Sequence, residues 1–315
     1  MTSVPFDYPC FDFTLRTDIR LPELVGMRPS LTGSAIVTIR EGGFPDAAAS
    51  TGTGVAGVQV DGDRVILTVP QVARFQVREG MEICVDPAPG ASVAMVRLFL
   101  LGSALGILSL QRGLFLLHAN AVVIDGRAFA FAGPSGAGKS TLAGHFQRAG
   151  HAVLCDDVCG IRFDAAGVPI VWPGLPRLKL WRDAAEALGH DPDAYDRVAE
   201  GYEKVQIPCR QADVTGPVPL AALYILDRAT PDAAVEITRL TGVAAMAATM
   251  ENSYRAEYHR PLGLSAAHFG HCSALLAHIG VYRAPRRWGF DVFAEEVARI
   301  ERHAAGLAHN ERERS

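Results

Sequence analysis

The chain has no Cys-x-x-Cys pair, and none of its six cysteines (Cys10, Cys84, Cys155, Cys159, Cys209, Cys272) groups with histidine at the spacing of a zinc site. A zinc module is excluded, and the thiols are expected to be reduced, as in a cytoplasm. Positive charge is also short: 30 Lys and Arg stand against 34 Asp and Glu, for a net charge of -4. Such a balance supplies no basic field, so nucleic acid is not an expected partner. The opening MTSVPFDYPCFDF has no basic region leading into an apolar one, and the expectation is a chain that stays in the cytoplasm. The stretch that raises a membrane question, Leu98 to Leu110, is thirteen residues bracketed by Arg97 and Arg112, whereas a span needs roughly 20. A buried core helix is the expectation, with no membrane partner. No internal repeat is visible.

What is present is a folding composition, 49% hydrophobic over 315 residues, enough for one large core or two modest ones. From Ser34 to Pro87, runs such as SAIVTIR, RVILTV and MEICVDP alternate with Gly, Asp and Pro, the pattern of strands and tight turns. The apolar helix follows, so residues 1–110 read as a β-rich region ending in a helix and residues 111–315 as a second unit. That unit opens with LLHANAVVI and RAFAFAG, paired strands split by Asp125-Gly126. A helix over Ser140 to Arg148 is capped by Gly150 and leads into the strand HAVLC. PLAALYILDR reads as a buried strand, Gly242 to Met250 as a helix, and Val292 to Leu307 as an amphipathic helix with a charged tail. Strands alternating with helices from about residue 115 indicate an α/β core.

Between strand and helix lies Gly133-Pro134-Ser135-Gly136-Ala137-Gly138-Lys139-Ser140-Thr141, which fits G-x-x-x-x-G-K-[ST] in the context the motif requires. Glycines let successive N–H groups turn inward toward phosphate oxygens, and the following helix adds its positive end. ATP and Mg²⁺ are therefore expected, with Lys139 on the β- and γ-phosphates and the Ser140 hydroxyl on the metal. A second metal and catalytic group has two candidates. Asp156-Asp157 follow a strand and could divide metal binding and proton abstraction, with Asp156 on the metal. Asp227 has no acidic neighbour, and a turn at a strand end explains it.

These residues resemble the HPr kinase/phosphorylases, bacterial enzymes that phosphorylate a serine on a small carrier protein. The resemblance covers about residues 116 to 158, where a histidine, the P-loop, a Gly-His strand start and an Asp-Asp pair fall in one register on His118, Gly133 to Ser140, Gly150-His151 and Asp156-Asp157. It implies a P-loop kinase core, His118 in the active site, Lys139 and Ser140 on nucleotide and metal, and Asp157 as the proton acceptor. Lys204 to Arg210 is similar to the family's substrate loop, with Lys204 and Arg210 as its basic residues. The family's Pro-Gly-Arg-Asn stretch is replaced by Gln211-Ala212-Asp213, so kinase without phosphorylase activity is expected. Its Leu-Glu-Ile-Arg-Gly signature is absent, with Pro173 to Lys179 near its place, which leaves a metal-binding glutamate unassigned. Stand-alone relatives modify a serine of precursor peptides, including lasso peptides, so the expected partner is a serine-bearing peptide or protein; homo-oligomers are compatible with the reading. Alternatives are a small-molecule hydroxyl kinase, a nucleotide sensor and a transport-type ATPase, although no LSGGQ-like signature accompanies GPSGAGKSTL.

Overall fold

The computed structural model describes residues 5–27, 35–45, 57–199, 201–209, 214, 216–230 and 232–312. Arg210 and the Gln211-Ala212-Asp213 stretch lie outside them. The first sheet holds β1 (Phe6–Cys10), β2 (Phe13–Thr17), β3 (Ala35–Glu41), β4 (Val58–Asp61), β5 (Arg64–Val69), β6 (Ala73–Arg78) and β7 (Glu82–Pro87). Their order is β1-β2-β3-β7-β6-β5-β4, parallel where β3 meets β2 and β7 and antiparallel elsewhere. The strands expected from Ser34 onward are present, and β1 and β2 precede them. In β2 the residues Phe13, Leu15 and Thr17 are buried while Thr14 and Arg16 are less so, the two-residue period of a strand with one covered face. Packing rather than charge holds this strand: its Arg16–Asp7 ion pair is about half exposed and is screened by solvent. Burying a side chain such as Phe13 contributes about 1.5–3 kcal/mol.

The covering element is one helical rod made of α1 (Val93–Phe99), a π-helical turn at Leu100–Ala104, and α2 (Leu105–Gln111). At 19 residues it runs longer than its apolar run suggests, and by length and composition it could cross a membrane. Yet 61% of its most apolar window is buried inside the protein, as expected of a helix that is apolar all round and sits in a core. Leu100, Leu105, Ile107 and Leu108 join Phe13, Phe75 and Ile83 in one cluster. That cluster also takes in Trp172 and Tyr258 from far along the chain.

The second sheet begins with β8 (Phe115–Leu117), β9 (Ala119–Ile124) and β10 (Arg127–Ala132). The run LLHANAVVI is thus broken at His118 into strands that pair differently, β8 with β12 (Cys159–Phe163) and β9 with β10 and β11 (Ala152–Cys155). Asp125 and Gly126 turn β9 into β10 with φ of 51° and 78°, as a tight hairpin turn demands. Helix α3 (Lys139–Arg148) connects β10 to β11, and it closes with Gly150 N–H on Gln147 O and His151 N–H on Phe146 O, the paired bonds of a glycine-terminated helix. The sheet continues through β13 (Pro169–Trp172), while β14 (Arg177–Trp181) and, after α4 (Arg182–Ala187), β15 (Lys204–Pro208) form a separate ribbon. Strand β16 (Val218–Ala229) is the buried centre, parallel to β10 on one side and to β18 (Gly280–Arg287) on the other. Between them come β17 (Thr238–Leu240), α5 (Gly242–Glu251) and α6 (Ser265–His278), and α7 (Phe290–Arg312) ends the described chain.

Candidate active site

Strand β10 delivers its C-terminal end to the loop that begins at Gly133, pressed against the neighbouring β16. A side chain at Gly133 would put its Cβ 2.5 Å from the Leu226 carbonyl oxygen, and φ there is +141°, so only glycine fits. Gly136 and Gly138 also hold positive φ, and Gly138 is the residue from which α3 starts. Ala137 N–H bonds Pro134 O at 3.1 Å, which rounds the loop. Pro134, Ser135 and Gly136 are exposed at its crest, while Lys139 is buried beneath. The Lys139 ammonium donates to Gly133 O at 2.7 Å and to Pro134 O at 3.3 Å. Burial lowers its pKa, as desolvation does to any cation. The Asn120 amide donates to Lys139 O. Arg286, nearly fully buried at the end of β18, donates to Ala137 O, and burial brings its pKa down to about 10.

The acid pair stands at the end of β11, across from the first turn of α3. Ser140 Oγ donates to Asp156 Oδ1 at 2.9 Å, and the Lys179 backbone N–H donates to Asp156 Oδ2 at 2.9 Å. Burial, reinforced by the adjacent Asp157 charge, pushes the Asp156 carboxyl up to about 6. Asp157 differs. Burial raises its carboxyl too, but the Lys179 ammonium 2.9 Å from Oδ2 outweighs this and holds it below the usual carboxylate range. Its backbone has φ +67° inside a three-residue turn closed by Val158 N–H on Asp156 O. That conformation is strained for a residue with a side chain, and such strain gathers at working sites. His118 holds the turn, with Nδ1 at 3.0 Å from Asp157 O. A carbonyl can only accept, so Nδ1 carries the proton and Nε2 keeps its lone pair. Burial and the Lys139 charge lower the His118 pKa, so the ring is neutral at pH 7.

Two cavities meet at this point. One, of about 470 Å³, runs along the loop past Ser140, Thr141, Arg286 and Trp288. The other, of about 860 Å³, opens between the core and the π-helical turn, where Phe99, Gly102, Tyr254 and Arg255 face it. His118, Ser135, Asp157 and Lys179 line both. Asp156 lines only the larger.

Of the residues expected from sequence, His118, Lys139, Ser140, Asp156 and Asp157 come together, with Gly133 through Thr141 curled beside them. Lys204 lines the smaller cavity, its ammonium 5.2 Å from the Trp181 ring centre. Asp227 lines neither cavity and pairs with Arg283 at 2.6 Å. Sequence reasoning missed Lys179, Arg286, Trp288 and the Tyr254-Arg255 pair. Near the place where the resemblance implies a glutamate, β14 brings the opposite charge, and Lys179 neutralises Asp157. The alternation in Arg-Leu-Lys-Leu-Trp marks a strand with Lys179 on its polar face, but nothing local ties that lysine to an aspartate on another strand.

No family model matches the chain, and no curated protein matches it. Among solved structures, the HPr(Ser) kinase/phosphatase from Coxiella burnetii superposes with a TM-score of 0.35 and 14% identity, over 61% of this chain and 97% of that one. The likeness is loose, and the site stands on its own side chains.

Proposed function

We propose that the chain is an ATP-dependent kinase that transfers the γ-phosphoryl group to a hydroxyl, and that the acceptor is a serine of a peptide or protein. The observation that carries this reading is the contact between Ser140 and Asp156: the hydroxyl that follows the loop lysine faces a strand-end carboxylate. Both donors are oxygen, as magnesium requires, and a buried carboxyl pushed up to about 6 marks a place short of positive charge. Magnesium held by Ser140 and Asp156 would neutralise charge on the β- and γ-phosphates. Lys139 exchanges the carbonyls of Gly133 and Pro134 for phosphate oxygens, and the loop N–H groups cradle the rest.

The nucleotide fits the smaller cavity and the acceptor the larger, which puts their meeting point at Asp157. There the acceptor oxygen forms a bond to the γ-phosphorus, the bond from that phosphorus to the leaving ADP oxygen breaks, and the hydroxyl proton passes to Asp157. Asp156 is less suited to that role, because it is the carboxylate assigned to the metal. Lys179 keeps Asp157 ionised and ready to accept, and neutral His118 fixes the turn that presents it. We expect no phosphorolysis, since Gln211-Ala212-Asp213 stand where the reverse reaction's residues would be.

Asp157→Asn tests the assignment, because it removes the proton acceptor while the loop stays intact. ATP affinity should change little, and phosphoserine formation on peptide acceptors should fall by at least about a hundredfold. Ordinary turnover in Asp157→Asn would remove the base from this residue. A wild-type protein that binds ATP yet phosphorylates no hydroxyl would instead be a nucleotide sensor.

A further inference from the structure

The smaller cavity has two chemically different ends. Around the loop it is polar and cationic, with Lys139, Arg286 and the N–H groups that open α3. Its other wall is aromatic. Trp288 follows β18 directly and keeps 44% of its surface exposed, a large share for an indole, although it lines a cavity. The Arg228 guanidinium, from the end of the neighbouring β16, stacks over its ring at 3.6 Å from the centroid. The indole also leans on the loop: a Cβ at Gly138 would stand 3.6 Å from Trp288 Cζ3 and 2.6 Å from Arg286 Nη2. A second exposed indole, Trp181, borders the same cavity, but it lies on β14 two residues from Lys179 and therefore on the side of Asp157. Trp288 lies two residues from Arg286, on the side where the loop passes into α3.

We propose that Trp288, braced by Arg228, is the platform on which the nucleotide's purine base stacks. The proposal rests on the nucleotide reading of the loop and names the part of the site that reads the nucleoside. With the γ-phosphate toward Asp157 and Lys179, the triphosphate runs along the loop toward Ser140 and Thr141. The nucleoside then leaves the phosphate cradle on the Gly138–Trp288 side. Stacking on an indole reads ring area and polarisability rather than hydrogen-bond pattern. ATP and GTP should therefore bind alike, and both more tightly than CTP or UTP.

Binding of Mg·ATP and of inorganic tripolyphosphate to wild type, Trp288→Ala, Trp288→Phe and Trp181→Ala separates the terms. Trp288→Ala should weaken ATP by about tenfold or more and leave tripolyphosphate unchanged, with Trp288→Phe recovering most of the loss. The platform is overturned if Trp288→Ala binds ATP as wild type does, if it weakens both ligands alike, or if the ATP-specific loss appears in Trp181→Ala. Wild type binding tripolyphosphate but not ATP would also sink it while sparing the phosphate cradle. Binding of neither ligand would remove the nucleotide reading itself.

Discussion

Asp156 and Asp157 are neighbours in sequence with the same side chain, and their surroundings drive them apart. Asp157 forms a direct ion pair with Lys179, whereas Asp156 accepts hydrogen bonds from Ser140 and a backbone N–H and feels the Lys179 charge only from farther off. The consequence is measurable as stability. A carboxyl that titrates near 6 when folded and near 3.8 when unfolded binds more protons in the folded state between those values. Its folding free energy therefore weakens as pH rises through that window and stays weakened above it. Asp156→Asn abolishes this loss, since its amide can donate to Ser140 while its carbonyl still accepts from Lys179. At pH 7, without nucleotide or metal, we expect Asp156→Asn to be more stable than wild type by on the order of 3 kcal/mol. Below about pH 4 the two should converge. Denaturant unfolding across pH checks this, and a constant difference at all pH values would show that the effect is not ionisation.

At the scale of elements, what could be read from sequence was what is encoded locally. Asp125-Gly126 sits between alternating runs and makes its hairpin. Gly150 ends α3 as its position implies, and the glycines of the loop occupy conformations that other residues resist. What could not be read depends on contacts between distant segments. Lys179 reaches Asp157 only because β14 lies beside the turn after β11. Arg286 and Trp288 arrive from β18, which joins the loop's sheet through β16. Pro5, Pro9 and Asp12 punctuate β1 and β2, so local preference does not mark them as strands; the pairing of β2 with β3, and of β1 with β2, supplies what it does not. The π-helical turn likewise has no simple sequence mark, yet it shapes the larger cavity. A Cβ on Gly106, one turn beyond Gly102, would meet Tyr254 Cε1 at 3.0 Å. Gly106→Leu should therefore displace Tyr254 into the cavity, raising the KM for the acceptor several-fold while nucleotide affinity holds. Equal loss of both would mean that the helix had been disrupted rather than the cavity narrowed.

Across the whole molecule, the N-terminal sheet and the core sheet are bound together at several points. Arg162 on β12 pairs with Asp12 at 2.8 Å, Arg177 on β14 donates to Pro22 O at 2.6 Å, and the Phe11 ring lies where a Cβ on Gly160 would come within 2.7 Å. One wall of the larger cavity comes from each side, so a loose N-terminal region would leave that cavity without its boundary. The thiols give this coupling a clock. Cys10, Cys155, Cys159 and Cys272 are all buried and outside any disulfide, spread from the first strand to α6. Cys155, directly before the acid pair, is held well above the ordinary thiol range by its hydrogen bond with the Cys159 thiol and by burial. A water-soluble alkylating reagent can reach these sulfurs only when the chain opens, and mass spectrometry can follow each one separately. If the contacts at Asp12, Pro22 and Phe11 make the two sheets open as one, Cys10 and Cys155 will be modified at a common rate. Early labelling of Cys10 alone would instead mark the N-terminal sheet as a unit that opens by itself.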